Sequence, residues 1–433
     1  MLSHVHGFYG AIRLNTWPRK AVVCLALVIP LGLLSNVGWE VLAGPQKDIK
    51  VLPWGIQFDA SSDQHVENSA DAESLLRQAH QFLLQGQRAQ ALGVAQDLVT
   101  RYPNFQLGQL LFADLLSLTS GQAMDAPVAS NLATPELTRK LQQLNDEARL
   151  RLHRPDASTY QGKEPAGLAY LSAKVPYAIA VDAAHSRLYV LGHANANEGG
   201  KAAKGLKVIF ETYMSVGQRG VGKLQKGDGK TPLGVYFIQK SYPGHVLPDL
   251  YGSGALTLNY PNEADVLDGK TGSGIWLHGS PSEAFARPPE ASDGCVVLSN
   301  PDMAFLMRLQ LPAGTPVLIQ RQIEWVEPQK NQALRAQLWP SLQAGGLASS
   351  DEVMALLSWQ GEGRNMVATI SANHKTLASS AGFRSDYWVE QARQWRTLSA
   401  LAEEGGRMEH SPAKPKSSKR SASLQVSQLQ WQR

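Results

Sequence analysis

The longest uncharged stretch of the chain lies near its start, where residues 21–39 read AVVCLALVIPLGLLSNVGW. A run of that length can just span a bilayer as a helix. Arg13, Arg19 and Lys20 precede it and Glu40 follows, and the basic flank places the N-terminus in the cytoplasm. Two readings stay open: an uncleaved anchor, or a signal peptide cut after Val41-Leu42-Ala43. Under both, residues 1–43 form a cytoplasmic stub and a signal or anchor helix, and the body is exported to the periplasm or cell envelope. Residues 44–71 are polar and rich in Ser, Asp, Gly and Pro, which predicts a linker.

From residue 72 the apolar spacing becomes helical and stays so to about 155. Leu75, Ala79, Phe82 and Leu83 share one face. After Gly86, Ala91, Leu92, Ala95, Leu98 and Val99 share a second, and beyond Pro103, Leu107, Leu110, Leu111, Leu115 and Leu118 share a third. Helix, Gly turn, helix and a Tyr-Pro-Asn connector resemble one and a half tetratricopeptide-like units, too few for a solenoid. So short an array cannot bury its own face and is expected to pack on the next domain, or on a partner. Thr134 caps a further helix that begins at Pro135.

Between 175 and 322 the period changes to that of strands. Tyr177–Val181 and Arg187–Leu191 flank a turn at Asp182–Ser186. Residues 207–217, 235–242, 255–260, 273–277, 295–298 and 317–320 are further strand candidates, punctuated by Gly and Pro. Asn300-Pro301-Asp302 opens one helix running to about Leu311. The fold class is therefore mixed and multi-domain, with a central mostly-β domain. Residues 323–405 are expected to form a helical extension, and 406–433, with Lys414, Lys416, Lys419 and Arg420 among Ser and Pro, a disordered basic tail.

The whole chain has 433 residues, is 43% apolar and carries a net charge of +4. That suits folded domains and gives no basic face for nucleic acid. The two cysteines, Cys24 in the apolar leader and Cys295 in the β domain, are too few for a zinc site and poorly placed for a disulfide. A lone thiol in an exported domain invites a reactive role.

Cys295 follows Gly294 at the start of a candidate strand, and His278-Gly279 closes another seventeen residues earlier. A thiol becomes a strong nucleophile when an adjacent imidazole removes its proton. The imidazole in turn needs an acceptor on its other nitrogen, for which the carbonyl of Gly279 is a candidate. Gly294 admits a substrate carbonyl close to the backbone, and the amides of Gly294 and Cys295 could hold an oxyanion. Thiol chemistry of this kind calls for no metal or organic cofactor.

His278-Gly279 followed by Ser292-Asp-Gly294-Cys295-Val296 resembles the signature of the YkuD-type L,D-transpeptidase catalytic domain. Val181-Asp182 with Arg187-Leu-Tyr189 is similar to that family's opening hairpin. Gly227-Asp228, Thr231-Pro232-Leu-Gly234-Val-Tyr236, Leu258-Asn259-Tyr260-Pro261 and Gly314-Thr315-Pro316-Val317 are similar to its other motifs. The resemblance covers about residues 175–322. It implies a groove under a flap, with attack on the bond between diaminopimelate and D-Ala of a peptidoglycan stem peptide and a thioester at Cys295. An amine acceptor then gives transpeptidation and water gives hydrolysis. It further implies that Tyr260 lines the donor site and assists the oxyanion hole, and that Ser292 stabilises the loop around Cys295. Many members carry Arg two residues after the Cys; here that position is Val297. The motif around Cys295 looks closer to a subgroup that includes hydrolytic members, some with a nuclear-transport-factor-like domain after the catalytic one. Residues 351–396 are faintly similar to the start of such a domain. A scaffold that only binds peptidoglycan is the alternative from another functional class.

Overall fold

The computed structural model describes residues 69–120, 134–194, 205–349, 352–372 and 383–401. The apolar run at 21–39, Cys24 and the tail at 406–433 lie outside the described residues, as does all but the last few residues of the linker. Among the described residues no helix is long and apolar enough to cross a membrane.

Helices α1 (Ser69–Leu84), α2 (Arg88–Arg101) and α3 (Gln106–Ser120) pack as successive antiparallel neighbours, and α4 (Pro135–Leu152) lies against α1 and α3. Gly86, at φ +74°, turns α1 into α2. Ala91, Ala95 and Leu98 form the buried stripe of α2. The Thr134 hydroxyl accepts the Leu137 amide at 3.2 Å and caps α4.

The chain then runs through β1 (Glu164–Pro165), β2 (Leu168–Leu171), β3 (Tyr177–Asp182), β4 (Arg187–His193), β5 (Leu206–Gly217), β6 (Gly234–Pro243) and β7 (Gly254–Leu258). It continues as a short helix α5 (Glu263–Leu267), β8 (Trp276–His278), β9 (Glu290–Ser292), β10 (Val296–Leu298), α6 (Asn300–Arg308) and β11 (Pro316–Gln320). Strand order is β10-β8-β7-β6-β11-β3-β4-β5, with β9 beside β5, and β10 also pairs with β5. That last pairing closes the sheet on itself, so the strands have no free lateral edge around the ring. Ile179, Val190, Met214, Tyr236, Leu256, Leu277, Val296, Leu298 and Val317 fill its interior together with Met303 and Leu306 of α6.

An ion cluster joins the helices to this ring. Glu73 of α1 accepts from Arg187 of β4 at 2.6 Å and from Arg151 of α4 at 3.2 Å, while Arg151 also pairs with Glu147 at 2.7 Å. All four side chains are buried. Leaving one such partner unpaired costs about 3–5 kcal/mol, so the cluster fixes the helical region on the ring.

The expected helical extension over 323–405 is corrected by the structure. After β12 (Trp325–Val326) and helix α7 (Pro328–Ala344) come β13 (Val353–Gln360), β14 (Asn365–Ala372), β15 (Phe383–Gln391) and β16 (Gln394–Thr397). They form an antiparallel sheet in the order β16-β15-β14-β13-β2. The reason lies in burial on both faces. Ala355, Leu357, Ala368, Ile370, Tyr387 and Val389 face the ring, whereas Val353, Leu356, Val367 and Trp388 face α7. A strand covered on both sides loses its alternation and reads as an unbroken apolar run. The β15–β16 turn hid as well, because Ala392 and Arg393, at φ +50° and +64°, take the place usually given to Asn-Gly. The sheet is tied to the ring through Tyr387, whose hydroxyl accepts from Asn259 at 2.8 Å and donates to the Val235 carbonyl at 3.3 Å.

Candidate active site

Strands β8 and β10 run parallel, with Val296 beside Leu277 and Val297 beside His278. Side chains alternate along a strand, so Leu277, Val296 and Leu298 point into the ring. His278, Val297, Trp276 and Cys295 share the opposite face. Cys295 therefore stands one step before β10, level with Trp276 and diagonal to His278. Its sulfur receives the Trp276 amide and its S–H donates to the Gly274 carbonyl at 3.4 Å.

The imidazole is fixed in orientation. His278 Nδ1 lies 2.7 Å from the Gly279 carbonyl, an acceptor only, so Nδ1 carries the proton and Nε2 keeps its lone pair. Burial drives the imidazole down to about 4, against the Gly279 hydrogen bond, and the charge of Arg287 adds to the fall. At neutral pH it is an unprotonated base.

Cys295 keeps part of its surface open, yet the surrounding protein desolvates the thiolate. Burial pushes the thiol up to about 11; the Trp276 amide, Arg287 and Lys223 pull the other way, and Asp293 adds to the rise. The resting pair is thus neutral thiol and neutral imidazole.

Ser292 and Gly294 shape the loop before Cys295. The Ser292 hydroxyl donates to the Cys295 carbonyl at 2.6 Å and accepts the Gly294 amide at 3.0 Å. Gly294 sits at φ +126°, and a Cβ there would come within 2.7 Å of the Lys230 carbonyl. The role expected for the Gly294 amide in an oxyanion hole is corrected by this geometry, since Ser292 already holds it. No side chain holds the Cys295 amide among the described residues.

Tyr260 is also placed differently from expectation. Its ring is 5% exposed, within the ring core, and its hydroxyl donates to the Thr271 carbonyl at 3.1 Å. Thr271 in turn accepts the Lys226 amide at 3.1 Å. Tyr260 thus braces the 218–232 segment from below. That segment is folded around Asp228, which accepts from the amides of Leu224, Gln225 and Lys230 and from Lys223 Nζ. Gln218 joins it to the Cys295 loop by donating to Asp293 at 3.0 Å.

Two residues at the site carried no sequence signal. Tyr251 sets its ring edge-on to His278, centroids 5.1 Å apart, and 4.9 Å from Trp276. The Tyr251 carbonyl accepts the Gly279 amide at 3.0 Å. Burial raises its phenol pKa, and the charge of Cys295 adds to the rise. Arg287 donates to the Ala291 carbonyl at 3.2 Å. Tyr251 ends a single 3-10 turn (Asp249–Tyr251) and Arg287 sits in an irregular loop, both too short or too irregular for a periodicity to mark them; Gly252 at φ +56°, closing the Tyr251 turn, is the one local hint.

Residues 176–319 match the YkuD family, the L,D-transpeptidase catalytic domain.

Solved structures similar to the chain include Bd1075 of Bdellovibrio bacteriovorus, 22% identical, covering 55% of this chain and 96% of that one at a TM-score of 0.39. The helical cell shape determining protein Pgp2 of Campylobacter jejuni is 16% identical, covering 51% and 90% at a TM-score of 0.36. An L,D-transpeptidase from Mycobacterium smegmatis is 16% identical, covering 34% and 58% at a TM-score of 0.21. No curated protein matches the chain. In the YkuD-type domain of this chain, Cys295, His278, Gly279, Ser292 and Gly294 come together at one end of β8 and β10. Tyr260 lies below the 218–232 segment.

Proposed function

We propose that the protein is a peptidoglycan L,D-transpeptidase that works through a thioester at Cys295. The observation that carries the reading is the Gly279 carbonyl locking Nδ1–H of His278, which leaves Nε2 basic on the face it shares with the thiol.

The steps follow from that placement. His278 Nε2 takes the Cys295 proton as Sγ attacks the carbonyl carbon of the diaminopimelate–D-Ala amide. The Cys295 amide steadies the oxyanion. The tetrahedral adduct collapses, the C–N bond breaks, and the imidazolium returns its proton to the departing D-Ala nitrogen. An acceptor amine then attacks the thioester, gives its proton to His278 and forms a new amide. Sγ leaves as thiolate and recovers the proton. Because both groups rest neutral, proton transfer accompanies attack instead of preceding it, and the resting thiol resists oxidation in an oxidising compartment. Water in place of the amine gives a carboxypeptidase or endopeptidase.

Purified protein added to isolated muropeptides, with products read by mass, tests this. Dimers linked through diaminopimelate support transfer, and tripeptides alone support hydrolysis at the same site. Binding without any product, or turnover that survives in Cys295→Ala, overturns the proposal. The cell envelope, and other cell-wall proteins reached through the helical region, belong to the same reading.

A further inference from the structure

Segment 279–294 links the catalytic base to the nucleophile, and its middle leaves the catalytic ring altogether. Phe285 is 4% exposed and sits among Ala72, Leu76, Leu98, Tyr102, Phe105 and Leu107 of the helical region. Its ring meets Tyr102 edge-on at 5.4 Å and Phe105 at 4.7 Å. The backbone is fastened at the same point: the Phe285 amide donates to the Asn104 carbonyl at 3.2 Å, and the Asn104 side chain donates to the Ser282 carbonyl at 3.3 Å.

Two residues beyond Phe285 stands Arg287, whose guanidinium donates to the Ala291 carbonyl at 3.2 Å, next to the Ser292 that closes the loop on Cys295; its charge bears on both His278 and Cys295. The helical region reaches Arg287 by a second route. The Tyr213 hydroxyl donates to the Arg287 carbonyl at 3.1 Å, and Arg151 of α4 lies over the Tyr213 ring at 3.8 Å. Arg151 also lies 5.1 Å from the Phe105 ring that holds Phe285. Both routes converge on one residue.

We propose that the helical region positions the catalytic centre: by seating Phe285 between Tyr102 and Phe105 it holds Arg287 where its guanidinium donates to the Ala291 carbonyl, at the entry to the loop that carries Cys295. Phe285 is a positioning residue that acts through Arg287. The proposal builds on the catalytic reading of Cys295 and His278, but its test needs no turnover.

The test measures alkylation of Cys295 by iodoacetamide against pH in the full chain, resolved by the mass of the Cys295 peptide so that Cys24 is counted apart. In Phe285→Ala the alkylation midpoint moves to higher pH, because the cation that favours the thiolate is no longer held. Phe285→Leu, which still fills the pocket, restores most of the wild-type profile. Arg287→Gln gives the same displacement, and Phe285→Ala adds nothing to it in the double variant. The groups around the thiol are untouched in these variants: Asp293 beside it, Lys223 from the 218–232 segment, Tyr251 and His278. Leu115→Ala, which opens a separate cavity in the helical region, lowers thermal stability and leaves the midpoint in place.

A folded Phe285→Ala variant with the wild-type midpoint overturns the proposal. So does a Leu115→Ala variant that moves it equally, or additive effects of Phe285→Ala and Arg287→Gln. Where the enzyme turns over muropeptides, Phe285→Ala lowers kcat about tenfold or more with a smaller change in KM, since a displaced group near the reacting atoms costs up to about a hundredfold. Absence of muropeptide turnover in the wild type counts against the proposed function alone, because the alkylation profiles still decide the positioning role.

Discussion

The Ser292 hydroxyl donates to the Cys295 carbonyl at 2.6 Å while accepting the Gly294 amide at 3.0 Å. One side chain thus closes the loop that presents Cys295 and occupies the amide before it. Ser292→Ala removes both bonds, at about 1 kcal/mol each. The expected result is a modest fall in melting temperature and a loss of acylation rate at Cys295 of about tenfold or more. The rate of carbapenem adduct formation, followed by mass, checks this; an unchanged rate rejects it.

Gly294→Ala is expected to be more severe. The residue lies at φ +126°, where an L side chain is strained, and the new Cβ would press on the Lys230 carbonyl at 2.7 Å. Strain of this kind costs about 1–3 kcal/mol and falls on the residue next to the sulfur. Turnover should drop about a hundredfold while circular dichroism stays near wild type. A variant with more than half of the wild-type rate contradicts the geometry.

His278 gives the fold an acid-labile point. Burial lowers its pKa from 6.5 to about 4, so the unfolded chain binds this proton at a higher pH than the folded one. Stability from the neutral imidazole is complete above pH 6.5 and is lost as pH falls towards 4. With each unit worth about 1.4 kcal/mol, the total is about 3 kcal/mol. Denaturant unfolding from pH 7 to 4 should show this slope in the wild type and a flatter one in His278→Gln. Parallel curves for the two proteins refute it.

Cys295 titrates in the opposite sense. Burial raises the thiol from 9.0 to about 11, so the thiolate fraction is small at neutral pH. Without substrate, alkylation should climb steadily beyond pH 9 instead of reaching a plateau there. A plateau near pH 8.5 would show that the thiol is not desolvated.

Glu73 lies between Arg187 and Arg151, and all three side chains are buried. Burial pushes its carboxyl upward, but Arg187, Arg151 and Arg154 together hold it below the ordinary range. Glu73→Gln leaves two guanidinium groups facing a neutral amide and should cost about 3–5 kcal/mol. Limited proteolysis should then cut between the helices and the ring before the ring itself unfolds. Wild-type protease resistance in the variant dismisses that role.

Much of the chain was legible from its residues alone. The strands at 177–182, 187–193, 206–217 and 234–243 are largely apolar runs bounded by their own Gly, Pro and Asp turn residues, and the helix opening at Asn300 carries its own cap. His278-Gly279 and Gly294-Cys295 marked out the imidazole, the carbonyl that orients it and the thiol, because those features depend on residue type and on the adjacent backbone. What could not be read was set by neighbours remote in sequence. Strands β13–β16 looked helical because Trp388 is covered by α7 while Tyr387 is covered by the ring, which erases the alternation. Tyr260 and the Gly294 amide bear the right chemistry, yet Thr271 and Ser292 already engage them.

The order of residues by itself determined a β domain with a thiol and an imidazole at strand ends, since alternation, capping and motif spacing are local properties of a polypeptide. Tertiary structure alone decided that β8 and β10 run side by side and that Tyr251 and Arg287 border the pair. It alone seated Phe285 of the connecting loop in the helical region. Those contacts join residues tens to hundreds of positions apart, and only the closure of the ring and the packing of the helices against it bring them within reach.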